Sequence, residues 1–302
     1  MRQAFTGCGT ALITPFTRSG AVDETGVRRL ARRQIDAGIH FLVPCGTTGE
    51  TPTLTEAERL RVVELIIAEA KGRVPVLAGA GGYNTHEVIE SAQQMARAGA
   101  DGILSVAPYY NKPTPEGLYQ HYKAIADAVP LPIILYNVPG RTGVNIDVPT
   151  VVRLSAVPNI IGVKEASGNV TQMCELCAAV PSAFLVLSGD DALTLPVMSV
   201  GGRGIVSVAS NEVPSEMSKM VELAEAGDFA AARRLHTELF PLMQINFIES
   251  SPIPVKAAMA MMGLVEEVYR LPLVPPRPAS RERIANVLRD LGLPTGPATV
   301  RA

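Results

Sequence analysis

Tryptophan is absent and aromatic residues make up only 5% of the chain. That excludes a stacking surface for single-stranded nucleic acid. Charge of one sign is also scarce: 27 basic and 29 acidic residues leave a net charge of -2 over 302 residues. No electrostatic footprint for nucleic acid or an anionic membrane follows from that balance. Four cysteines are too few for a disulfide scaffold and point to a reducing compartment. No uncharged apolar stretch reaches the ~18 residues needed to span a bilayer. The first residues carry no long apolar run, and Pro15 interrupts Ala11-Leu12-Ile13, so the expected location is the cytoplasm.

Several chemical motifs are missing as well. There is no Gly-x4-Gly-Lys-Ser/Thr loop, and Gly79-Ala80-Gly81-Gly82 lacks the third glycine of a dinucleotide fingerprint. Cys174-Glu175-Leu176-Cys177 falls inside a helical pattern with no second such pair and no paired histidine. It reads as two buried helix cysteines rather than a zinc or redox site. His40, His86, His121 and His236 are scattered and make no metal triad. No metal and no cofactor are expected.

What is present is a repeated alternation. Eight apolar runs of four or five residues occur at 9–13, 39–43, 74–78, 102–106, 133–136, 160–163, 184–187 and 204–208. None alternates cleanly with polar residues, the pattern of strands buried on both faces. Helical patterns separate them. Asp23 caps the first, over 23–37, and Thr55-Glu56-Ala57-Glu58 forms a capping box for the second, over 55–70. Others follow at 85–98, 114–128, 148–155, 170–179, 192–200 and 214–226. The length alone suggests two domains at ~100–200 residues each. Eight βα units predict instead one α/β domain, a (β/α)8 TIM barrel over residues 1–227. Residues 228–302 read as a C-terminal helical extension, with the Pro-rich stretch 271–278 separating its last helix.

In such a barrel the chemistry sits at the C-terminal ends of the strands. Lys164 ends the run Asn159-Ile160-Ile161-Gly162-Val163-Lys164 and is the one of six lysines at a strand's C-terminal end. A lysine there is partly desolvated, which favours the neutral amine, and a neutral amine can form a Schiff base with a carbonyl. The competing reading is a structural pair with Glu165 or a lysine that snorkels outward. Tyr136 ends the neighbouring strand, where its hydroxyl could relay protons or simply belong to the core. Gly46-Thr47-Thr48-Gly49-Glu50 could cradle a small carboxylate through its hydroxyls and backbone N–H groups, or be an ordinary βα loop. Arg141, in Pro139-Gly140-Arg141-Thr142-Gly143, could hold a carboxylate bidentately or be a surface arginine.

Taken together, Gly46-Thr47-Thr48-Gly49-Glu50, Tyr136-Asn137-Val138-Pro139-Gly140-Arg141-Thr142-Gly143 and Gly162-Val163-Lys164-Glu165-Ala166-Ser167-Gly168 resemble the dihydrodipicolinate synthase family. That family lies within the class I pyruvate aldolases of the N-acetylneuraminate lyase superfamily. The likeness runs from Gly9 to Lys256. It implies a pyruvate imine on Lys164, with Thr48 and Thr47 on the pyruvate carboxylate and Gly189 and Val206 lining the site. It also implies a proton relay of Tyr136, Thr47 and Tyr110. The last of these is contributed to a neighbouring subunit's site in a homotetramer built as a dimer of dimers. Arg141 is implied as the contact for the carboxylate of aspartate semialdehyde, which favours the synthases of lysine and diaminopimelate biosynthesis over the sugar-acid aldolases. The alternatives are a related aldolase acting on a keto-sugar acid such as N-acetylneuraminate, and a keto-acid-binding barrel without catalysis. Ser251 stands where many members have Asn, so no role is assigned to it. Tyr109 and Glu87 match lysine-contacting positions of feedback-inhibited members, whereas Tyr83 departs from them. Weak or no inhibition by lysine is therefore expected.

Overall fold

A computed structural model describes residues 4–295. Residues 1–3 and 296–302, the latter the end of the expected extension, lie outside the described part. Eight strands run in chain order: β1 (Gly7–Ala11), β2 (Phe41–Val43), β3 (Leu77–Gly79), β4 (Gly102–Val106), β5 (Ile133–Asn137), β6 (Ile160–Glu165), β7 (Leu185–Ser188) and β8 (Gly204–Ser207). The barrel helices are α1 (Glu24–Asp36), α2 (Glu56–Ala70), α3 (Thr85–Ala98), α4 (Pro115–Ala128), α5 (Pro139–Thr142), α6 (Val148–Leu154), α7 (Val170–Ala179), α8 (Thr194–Ser199) and α9 (Pro214–Glu225). The extension adds α10 (Phe229–Ile245), α11 (Ile253–Met261) and α12 (Pro278–Asp290).

The sheet is all parallel in the order β2-β1-β8-β7-β6-β5-β4-β3. A parallel bridge between Leu42 and Val76 joins its two ends and closes the barrel. Side chains alternate across each strand, so one set faces the barrel interior and the other the helices. Phe41, Leu77, Leu104, Ile134, Leu185, Leu187 and Val206 form the interior cluster. Phe5 meets Phe41 edge to face at 5.8 Å within that cluster. The outer cluster between strands and helices also takes in Leu239, Leu242, Ile284 and Leu288 of the extension. The tail therefore shares the barrel's core.

The helix signals read from sequence are realised. The Asp23 carboxylate accepts from the Gly26 N–H at 2.9 Å. The Thr55–Glu58 capping box is formed in both directions.

Several strand boundaries differ from expectation, and at two of them the physical reason is plain. β1 ends at Ala11 because Ile13 packs with Val255 and Met259 of the extension, and its N–H donates to the Asn211 side chain at 3.2 Å. β3 begins at Leu77 rather than Val74 because the Val76 N–H is held by the Asp101 carboxylate at 2.8 Å, and Pro75 has no N–H to give.

Between β5 and β6 the register shifts once, at Ile133/Ile134, and then runs Ile134↔Gly162, Leu135↔Val163, Tyr136↔Lys164 and Asn137↔Glu165. Gly162 allows β6 to approach β7: a Cβ there would lie 2.6 Å from the Leu185 carbonyl oxygen. Gly162→Ala is expected to destabilise the fold by about 1–3 kcal/mol, the usual cost of overpacking. The urea midpoint should fall at unchanged slope; a midpoint equal to that of the unaltered chain would contradict this close approach.

Candidate active site

The β5–β6 register decides the site. Tyr136 and Lys164 are paired neighbours, so both side chains take the same face of the sheet. Tyr136 belongs to the interior cluster, and the Lys164 amine lies 4.1 Å from the centre of its ring. Lys164 is 5% exposed and makes no ion pair among the described residues. Gly189, after β7, leaves room for the lysine stem. A Cβ there would lie 3.0 Å from the Lys164 Cε and 2.6 Å from the Ala166 Cβ. Val206 is fully buried in the same interior cluster.

Glu165 does not pair with Lys164. One residue further along the strand, it points to the opposite face. There Oε2 accepts from the side-chain amides of Asn137 at 2.8 Å and Gln172 at 3.1 Å. Oε1 accepts from the Ser167 backbone N–H at 2.7 Å. Asn145 completes the set, accepting from Asn137 at 2.7 Å and donating to Gln172 at 2.8 Å. This buried network fixes the ends of β5 and β6 and the loops that follow them, because each polar group there needs its partner.

A cavity of about 540 Å³ opens beside Tyr136, and Thr47 and Arg141 share its wall. Thr47 and Thr48 lie on a one-turn 3₁₀ segment, Thr47–Gly49. The turn is held by Thr14 Oγ1, which donates to the Gly49 carbonyl at 2.7 Å, and by Thr51 Oγ1, which donates to the Gly46 carbonyl at 2.9 Å. Thr48 itself is buried. Arg141 lies in α5, a short helix that was not foreseen, and its Nη2 donates to the Ser251 carbonyl at 2.9 Å. The residue left without a role thus orients the arginine through its backbone.

Tyr110 stands apart. It is 90% exposed and has a left-handed backbone, φ +71°. Tyr109, Tyr83 and Glu87 line the outer part of the same cavity. The two tyrosine rings meet edge to face at 5.2 Å, burial raises the Tyr109 phenol above its usual range, and Glu87 accepts from Asn84 at 2.8 Å. Cys174 and Cys177 lie on α7, partly rather than fully buried. Burial pushes the Cys177 thiol up to about 11, which removes it from thiolate chemistry near neutral pH.

Two buried features escaped the sequence reading. One is the amide network around Glu165. The other joins the Gly46–Glu50 loop to the extension: Lys256 of α11 donates to Glu50 Oε1, and both side chains are fully buried. Burial pulls the Lys256 amine down to about 8, against the opposing pull of Glu50. The signal was available, since Lys256 is the lone charge in the helix Ile253-Pro254-Val255-Lys256-Ala257-Ala258-Met259-Ala260-Met261. A charge in an otherwise apolar helix is buried only with a partner.

The fold and site define a (β/α)8 barrel with an interior lysine near the end of its sixth strand that has no ion pair among the described residues. Comparison with known proteins agrees and is more specific. Residues 4–291 match the model of the dihydrodipicolinate synthetase family, and the chain belongs to that family. It is 55% identical over 288 residues to the 4-hydroxy-tetrahydrodipicolinate synthase of Koribacter versatilis, covering 95% of this chain and 96% of that one. The crystal structure of dihydrodipicolinate synthase from Aquifex aeolicus superposes with a TM-score of 0.94 at 44% identity, over 96% of this chain and 99% of that one. The chloride-inhibited dihydrodipicolinate synthase of Acinetobacter baumannii, solved with pyruvate, gives a TM-score of 0.95 at 44% identity, over 96% of this chain and 100% of that one.

The close fit of Gly189 over the lysine stem is testable. Gly189→Ala should leave the protein folded but slow borohydride-trapped pyruvate adduct formation by roughly ten- to a hundred-fold, since small displacements of a reacting group have effects of that size. An unchanged trapping rate would show that the stem has space to spare.

Proposed function

We propose that the chain condenses pyruvate with L-aspartate 4-semialdehyde, the reaction for which its 4-hydroxy-tetrahydrodipicolinate synthase relatives are named. The observation that carries this reading is the Lys164 amine set against the ring of Tyr136, a residue that lines the cavity together with Thr47 and Arg141. Full-length similarity to proteins of that name supports it.

The Lys164 amine adds to the pyruvate carbonyl, and loss of water from the carbinolamine leaves an imine. Thr47 and Thr48 receive the pyruvate carboxylate, and Gly189 and Val206 shape the pocket around the imine. Removal of a C3 proton gives the enamine. Its C3 forms the new carbon–carbon bond to the aldehyde carbon of the semialdehyde, and the aldehyde oxygen takes a proton. The semialdehyde amino group then attacks the imine carbon, closes the ring and releases Lys164. Tyr136, Thr47 and Tyr110 move the protons in these steps, and Arg141 holds the semialdehyde carboxylate. No metal or cofactor enters this scheme.

The same reading places the chain in the cytoplasm, in lysine and diaminopimelate biosynthesis, as a homotetramer built as a dimer of dimers. The exposure of Tyr110 supports a role for it in a neighbouring subunit's site. Among the described residues no helix is long and apolar enough to cross a membrane. Residues 1–227 act as the catalytic barrel and 228–302 as a helical extension that depends on it. Tyr109, Glu87 and Tyr83 form an effector-facing rim with little response to lysine, because the Tyr83 ring already stands on Tyr109.

A direct assay separates the possibilities. Pyruvate with aspartate semialdehyde should give ring product, whereas N-acetylneuraminate should not be cleaved. Arg141→Ala should lower kcat/KM for the semialdehyde by about a hundred-fold, in line with the loss of a charged hydrogen bond, and spare pyruvate trapping. Millimolar lysine should leave most of the activity in place. Cleavage of the sugar acid, or full synthase activity in Arg141→Ala, would overturn the substrate assignment.

A further inference from the structure

We propose that Lys256, far along the chain in the extension, is a positioning residue for the Thr47–Thr48 turn, acting through Glu50. This rests on the reading that the turn receives the pyruvate carboxylate. The turn is flanked by Cys45 and Glu50, and both are non-glycine residues held at φ +55°. Side chains rarely adopt that backbone conformation, so something must hold each of them there. Cys45 Sγ lies 3.6 Å from the Arg59 carbonyl of α2. Glu50 reaches the other way, into the extension, where Lys256 donates to its Oε1. Its second oxygen, Oε2, is buried with no partner, so the lysine is what compensates the carboxylate's burial.

Lys256 is itself fixed from several sides. Its amine donates to the Val268 carbonyl at 2.8 Å and lies 4.0 Å from the Phe16 ring centre and 5.5 Å from that of Tyr269. Arg270, two residues past Val268, stacks on the same Phe16 ring at 4.4 Å and donates to the Thr53 carbonyl at 2.9 Å and the Gly20 carbonyl at 2.9 Å. Thr53 in turn donates through its backbone N–H and its hydroxyl to the Glu50 carbonyl, both at 2.9 Å. The extension therefore grips the loop after β2 through the side chain of Glu50 and through the segment that follows it. The Glu50 N–H closes on the Thr47 carbonyl at 3.1 Å, so a shift at Glu50 is passed directly to Thr47. The extension reaches the other loop of the site as well, at Arg141, through the Ser251 carbonyl.

The test measures how pyruvate concentration controls borohydride trapping on Lys164. Lys256→Met alone strands a buried carboxylate and could unfold the chain, so the deciding variant is Lys256→Met with Glu50→Gln, which removes both charges. This double variant should keep a cooperative thermal transition. It should need at least five-fold more pyruvate for half-maximal trapping, yet reach the same adduct level at saturation. The pyruvate KM should rise more than kcat falls. Arg277→Gln, which breaks an exposed extension pair with Glu249 at 3.3 Å, should leave half-saturation unchanged. A folded double variant with the half-saturation of the unaltered protein would overturn the positioning role alone. Failure of the unaltered protein to trap pyruvate at Lys164 would instead overturn the site reading and this inference with it.

Discussion

The pairing of β5 with β6 is the constraint on which the rest of the site depends. The single shift at Ile133/Ile134 brings Tyr136 opposite Lys164, and the two-residue period of a strand then turns both inward. The same period turns Glu165 outward into a closed set of amides. The adjacent lysine and glutamate are therefore kept on opposite faces of one strand. A slip by one residue would exchange them and place a carboxylate in the barrel beside the tyrosine. The buried amides around Glu165 oppose such a slip, because every one of them would lose its partner.

Around that fixed pair the substrate-facing loops are held from outside the barrel. Glu50 and Arg141 come from the loops after β2 and β5, and each is anchored to the segment Ser251–Lys256 at the start of α11. The helical tail shares the outer apolar core and also supplies a polar partner to each of these loops. A barrel with freely moving loops would present the same residues without a common geometry, and catalysis by positioning needs that geometry.

Much of this was legible in the sequence. Eight apolar runs separated by helical patterns, one of them opened by a capping box, were enough to count a barrel, and a charged residue ending an apolar strand was enough to single out Lys164. What the sequence concealed depends on three-dimensional neighbours. Ile13 continues the apolar run of β1 yet packs on the extension, because apolar pattern alone does not say which layer buries a residue. Glu165 next to Lys164 admits an ion pair until the strand's period separates them. Lys256 read as part of a tail because its partner lies 206 positions away. The solitary charge in an apolar helix marks it by the same logic that marked Lys164. The two buried lysines differ in their partners: both lie against aromatic rings, but Lys256 also has a carboxylate, whereas the ring beside Lys164 belongs to a tyrosine that lines the cavity.

That difference is what one measurement tests most directly. The protein is incubated with pyruvate, reduced with borohydride, digested and mapped by mass spectrometry. The expected result is a single reduced pyruvate adduct on the peptide carrying Lys164, lost in Lys164→Ala. An adduct on Lys256 or another lysine, or none at all, would contradict the central claim that Lys164, the interior lysine beside Tyr136, is the nucleophile.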